Sequence, residues 1–117
     1  MVTVGDVREV ARRLPRSQEH LIRDRVKFRV GAIVYVAFSR DEAVMGFAFP
    51  REERDALVAS QPRVFHLPEG GDMRFQWVQA WTAELDPALM EELVVDAWRM
   101  VVPKKVAAAH VAGLADR

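Results

Sequence analysis

Residues 23–49 read RDRVKFRVGAIVYVAFSRDEAVMGFAF, and this stretch decides the fold class. Three runs rich in β-branched and aromatic residues, RDRVKFRV (23–30), AIVYVAFS (32–39) and AVMGFAF (43–49), are interrupted by Gly31 and by turn residues around Arg40, Asp41 and Glu42. Interruptions this short leave room only for tight turns, so the runs are expected to pair as a three-stranded antiparallel meander. In the first run Arg23, Arg25, Lys27 and Arg29 occupy every second position. An extended strand would line all four cations along one face, about 6.6–6.8 Å apart.

Working outward, Thr3 and Asp6 have the spacing of a capping box with the shorter acid, and Val4, Val7, Val10, Ala11 and Leu14 recur at helical intervals until Pro15. Downstream, Pro50 with Arg51, Glu52 and Glu53 suits the start of a short helix to about Ser60, the carboxylates facing the positive end of its dipole. Gln61-Pro62 breaks that helix. RVFHL (63–67) then reads as a brief strand, PEGGD (68–72) as a loop and MRFQWVQAW (73–81) as a return to the sheet. Asp86-Pro87 opens a helix whose Leu89, Met90, Leu93, Val94, Ala97, Met100 and Val101 form a wide apolar face. Pro103 ends or kinks it, and KKVAAAHVAG (104–113) makes a last helix closed by Gly113. This order predicts an α+β domain over residues 1–117, with two layers: an antiparallel sheet of about five strands and helices on one face.

Net charge is zero, from 17 basic and 17 acidic residues, which argues against a protein built wholly for indiscriminate nucleic-acid binding. The balance is uneven along the chain. Residues 1–40 hold nine Lys/Arg against four Asp/Glu, and residues 41–117 hold eight against thirteen, so the halves carry +5 and −5. Cysteine is absent, which excludes disulfides, thiolate zinc sites and thiol nucleophiles and fits a reducing cytoplasm. The opening MVTVGDVREV lacks the basic-then-apolar pattern of a signal peptide, and the longest apolar run, Ala32 to Phe38, is too short to span a bilayer. The expectation is a soluble cytoplasmic protein with no membrane partner.

Two readings compete for the cation row. A sheet edge rich in Lys and Arg resists aggregation; the same groups can grip phosphates, Arg bidentately through its planar fork. Four engaged cations would give duplex DNA binding a log–log salt slope of about −3.6. Base reading has little to draw on, because asparagine is absent. Phe75, Trp77, Gln79 and Trp81 share one strand face, where aromatics can stack on unpaired bases. Core packing against the helix of residues 87–102 is the stronger expectation for them. The opposite faces of the central strands are poor in polar residues, which suits a homodimer or a protein partner.

Catalysis finds few candidates. His20, His66 and His110 are far apart in sequence and outside metal-binding spacings, and the serines lack a nucleophile-elbow setting. EGGD (69–72) has no lysine and precedes a strand, unlike a phosphate-binding loop. No catalytic residue, metal or cofactor is expected.

FRVGAIVYVAF (28–38), the FP with its acidic helix (49–57), Trp77-Val78 and LDPALMEELVVDAWRMVVPKK (85–105) together resemble the MmcQ/YjbR-like family. EHLIRDRVKFRV (19–30) stands where many members carry a Trp-Gly-His-Pro-like stretch. The resemblance implies a two-layer fold similar to CyaY-like and secretion-chaperone-like arrangements, and a DNA-binding role. The leading expectation is thus a small non-enzymatic domain contacting nucleic acid weakly, with little sequence preference, through Arg23, Arg25, Lys27 and Arg29. The alternative is a chaperone-like or homodimeric module using an apolar sheet face.

Overall fold

The computed structural model describes residues 1–115. Helix α1 (Val4–Ala11) begins at the expected capping box: the Thr3 hydroxyl accepts from the Asp6 amide, and the Asp6 carboxylate accepts from the Thr3 amide. Six strands follow, β1 (Ser17–Ile22), β2 (Arg25–Val30), β3 (Ile33–Phe38), β4 (Val44–Ala48), β5 (Phe65–His66) and β6 (Trp77–Trp81). Helix α2 (Arg54–Ser60) lies between β4 and β5, and a 3₁₀ turn (Gly70–Arg74) between β5 and β6; α3 (Pro87–Arg99) and α4 (Lys104–Ala115) close the described chain. The strands form one open antiparallel sheet in the order β1-β2-β3-β4-β6-β5. The architecture is α+β, as expected, with one strand more.

The additional strand is β1, and it changes the reading of the cation row. Ile22 pairs with Arg25, so Arg23 and Asp24 form a two-residue hairpin turn with φ of 52° and 64°. Positive φ at both central residues is the type I′ pattern, usually signalled by Asn-Gly. With that signal missing and SQEHLI mostly polar, the hairpin did not show in the sequence. Arg23 therefore sits in the turn, and the strand starts at Arg25.

The sheet buries the face carrying Phe28, Val36, Phe38, Met45, Phe47, Phe65, Val78 and Ala80 against α1 and α3. Here a second expectation fails: Val78 and Ala80 are fully buried, Trp77 is half-buried and Trp81 is 45% exposed. Ala80 pairs with Met45 on one side and Phe65 on the other. Those long side chains already fill the space under β6, leaving no room for indoles. Trp98, by contrast, is fully buried, and its Nε1 donates to the Pro15 carbonyl at 2.8 Å.

Tyr35 also departs from strict alternation. Phe28 pairs with Val36 and Arg29 with Val34, so Tyr35 is the extra residue of a β-bulge, and both Tyr35 and Val36 are fully buried. Its hydroxyl bonds to Ser17 Oγ, while burial pushes its pKa above the ordinary tyrosine value. The Arg8 guanidinium donates twice to Glu19, at 2.7 and 2.8 Å, tying α1 to β1 and holding that carboxyl below its usual range.

Smaller corrections concern boundaries. Residues 51–53 form a turn, and α2 proper starts at Arg54. Gly113 lies within α4 instead of closing it. None of the described helices is long and apolar enough to cross a membrane.

Candidate functional site

Directly paired residues of an antiparallel sheet share a face. One such row crosses all six strands: His20, Lys27, Ala37, Gly46, Gln79 and His66. Because Phe28 and Val78 point into the core, this row points away from α1 and α3, onto the open face. Alternation places Arg25 and Arg29 on the same face of β2, and Trp77 and Trp81 on the same face of β6. The structure thus keeps three of the four expected cations together and removes Arg23. It adds the two tryptophans that the sequence had assigned to the core.

Arg25, Lys27 and Arg29 are each half-buried and have no acidic partner among the described residues. The ion pairs among the described residues are Arg8–Glu19, Arg12–Glu9 and Arg13–Glu91. Arg25 Nε donates to the Phe38 carbonyl at 3.0 Å. An Arg29 terminal nitrogen lies 3.4 Å from His20 Nδ1, and Arg29 Nε is enclosed without a hydrogen-bond partner among the described residues. These contacts hold the two guanidiniums on the open face without a carboxylate partner among the described residues.

Between β2 and β6 the floor is low, because Ala37 and Gly46 carry little or no side chain. The Trp77 indole lies across Gly46. A cleft of about 380 Å³ opens here, lined by Arg25, Gln79, the two tryptophans, His66 and the acidic pair Glu69 and Asp72.

The acidic wall is positioned from behind. Arg54, only 6% exposed, donates to the carbonyls of Met73 at 2.6 Å and Phe75 at 2.9 Å; Arg51 donates to the Arg74 carbonyl at 2.9 Å. Together they hang the 3₁₀ turn from the start of α2. Nothing in the sequence singled out Arg54, since a buried arginine at a helix start looks like any other surface cation. Among the described residues no group of three or more His, Asp or Glu is placed to hold a metal ion.

A family model described as YjbR matches residues 12–100. Among solved structures, the chain is similar to the crystal structure of Deinococcus radiodurans protein DR2400, which carries the DUF419 domain of the same family. The TM-score is 0.77 at 22% identity, covering 98% of this chain and 89% of that one. At this identity the likeness speaks for the fold alone. No curated protein matches the chain.

Proposed function

The chain belongs to the YjbR family, and from that premise and its open sheet face we propose a non-enzymatic domain that binds nucleic acid by its backbone, with little sequence preference. The observation that carries this reading is the row of Arg25, Lys27 and Arg29 on one face of β2, unpaired with any carboxylate among the described residues. Guanidinium and ammonium groups spaced along a strand suit a track of phosphates. Tryptophans on the same face add a surface for bases.

Three cations, in place of four, set the expected salt dependence. Duplex DNA should bind with a log–log slope of about −2.7 and single strands with about −2.1. Fluorescence anisotropy with both substrates at several salt concentrations measures this. Substituting Arg25, Lys27 and Arg29 by alanine together should flatten the slope and remove most binding. Salt-independent affinity, or affinity that survives the triple substitution, defeats the proposal.

A second reading rests on a different feature. Ile33, Phe75 and Met100 are 56%, 53% and 38% exposed and line one shallow hollow with Val34 and Val101. Exposed apolar side chains gathered in this way suit a protein partner or a second copy. Light scattering coupled to size exclusion tests the dimer version, and a strict monomer at high concentration removes it.

A further inference from the structure

Trp77 and Trp81 stand two positions either side of Gln79, so each indole is rooted about 6.7 Å along the strand from that amide. The cleft they border holds about 380 Å³, within the roughly 300–1,000 Å³ usual for small-ligand sites. Its two ends carry opposite charge. Arg25 lines one end, with Lys27 and Arg29 further along β2; Glu69 and Asp72, from the β5–β6 connection, line the other. The matching ligand has a flat ring for the indoles, an anionic group for the cations, and hydrogen-bond donors on the ring edge that meets the carboxylates.

His66 supplies an independent observation. Its ring packs on Trp81 with centroids 4.6 Å apart, and its enclosed Nδ1 lacks a hydrogen-bond partner among the described residues. The ring therefore braces the Trp81 indole from the β5 side and forms part of the cleft wall.

Resting on the nucleic-acid reading above, we infer that the cleft receives one unpaired base of a single strand and prefers a base with an exocyclic amino group over thymine or uracil. Carboxylates accept from an amino group such as cytosine N4. Thymine offers a carbonyl at the equivalent position, which the acidic wall repels. Extruding a base from a duplex costs unstacking and unpairing, so the cleft favours single strands while the flanking phosphates run over β2.

The test uses tryptophan emission of the full chain, titrated with oligo-dC, oligo-dT of equal length, a duplex, and tetramethylammonium as a simple cation. Trp98 is fully buried, so quenching reports on Trp77 and Trp81. Oligo-dC should bind between about 5-fold and 100-fold more tightly than oligo-dT. Trp81→Ala, at a partly exposed side chain, should weaken single-strand binding by about 5-fold to 100-fold and duplex binding by less, with Trp81→Phe recovering part of the loss. The double variant Glu69→Gln, Asp72→Asn should bring dC and dT together.

Equal affinity for dC and dT, with no effect of Trp81→Ala, overturns the base slot; a surviving salt slope would then leave the backbone reading standing. Quenching by oligo-dC with no salt dependence does the reverse. Tetramethylammonium quenching without any binding of nucleic acid makes the cleft an aromatic cage for cations and overturns both.

Discussion

The Trp77 indole occupies the space where a side chain at residue 46 would stand: a Cβ built on Gly46 would lie 2.5 Å from Trp77 Nε1 and 2.8 Å from Cε2 and Cζ2. Gly46 is therefore needed for its missing side chain, since its φ is not positive. Gly46→Ala should push the indole aside and cost about 1–3 kcal/mol in urea unfolding, the range for overpacking a filled site. In a Trp77→Ala background the same substitution should cost much less. That coupling, read from a double-mutant cycle, separates the indole contact from any effect of alanine on the strand itself.

The Arg23-Asp24 turn invites a stabilising change. Both residues hold a left-handed backbone that a Cβ disfavours. Replacing the pair with Asn-Gly keeps the net charge and fits the type I′ turn, so stability should rise by about 1 kcal/mol in urea unfolding. Because Arg23 lies off the strand row, the salt slope of nucleic-acid binding should not change.

Arg54 is the more costly residue to lose. Its guanidinium serves two carbonyls from a buried position, and charge-assisted hydrogen bonds of this kind are worth roughly 1.5–3 kcal/mol each. Arg54→Met should lower stability by about 2–4 kcal/mol. Amide exchange should quicken selectively in residues 72–75, where the Phe75 amide bonds to the Asp72 carbonyl.

Tyr35 is the only tyrosine in the chain, so its ionisation can be followed without assignment. Burial raises its pKa, and the Ser17 hydrogen bond offsets this in part. The folded state therefore keeps the proton to higher pH than the unfolded chain, whose tyrosine titrates near about 10. The associated stability is fully present below that value and is lost as pH rises through the raised folded pKa. Tyrosinate absorbance should show a midpoint above the ordinary value in buffer and a return to it in concentrated urea.

The parts of this fold that follow from local chemistry were readable in advance. Thr3 with Asp6, Asp86 with Pro87 and the meander from Arg25 to Phe49 all behave as their residues dictate. Strand β1 was hidden because an edge strand needs little apolar surface and its turn uses Arg-Asp where Asn-Gly is usual. The face of β6 was misread for a different reason. Size suggested that tryptophan belongs inside, yet the room under a strand is set by its neighbours, and Met45, Phe47 and Phe65 come from distant parts of the chain. The cation row was legible only to the extent of its period of two. Where the row ends, and what faces it across the sheet, depended on pairing that no single segment encodes.

Arg51 and Arg54 grip the segment opposite β2 by its main-chain oxygens. Such a grip is indifferent to which residues the segment carries. Side chains at positions 73–75 can be exchanged while the segment stays anchored at the same height above the sheet, so this scaffold can take on new preferences without being rebuilt.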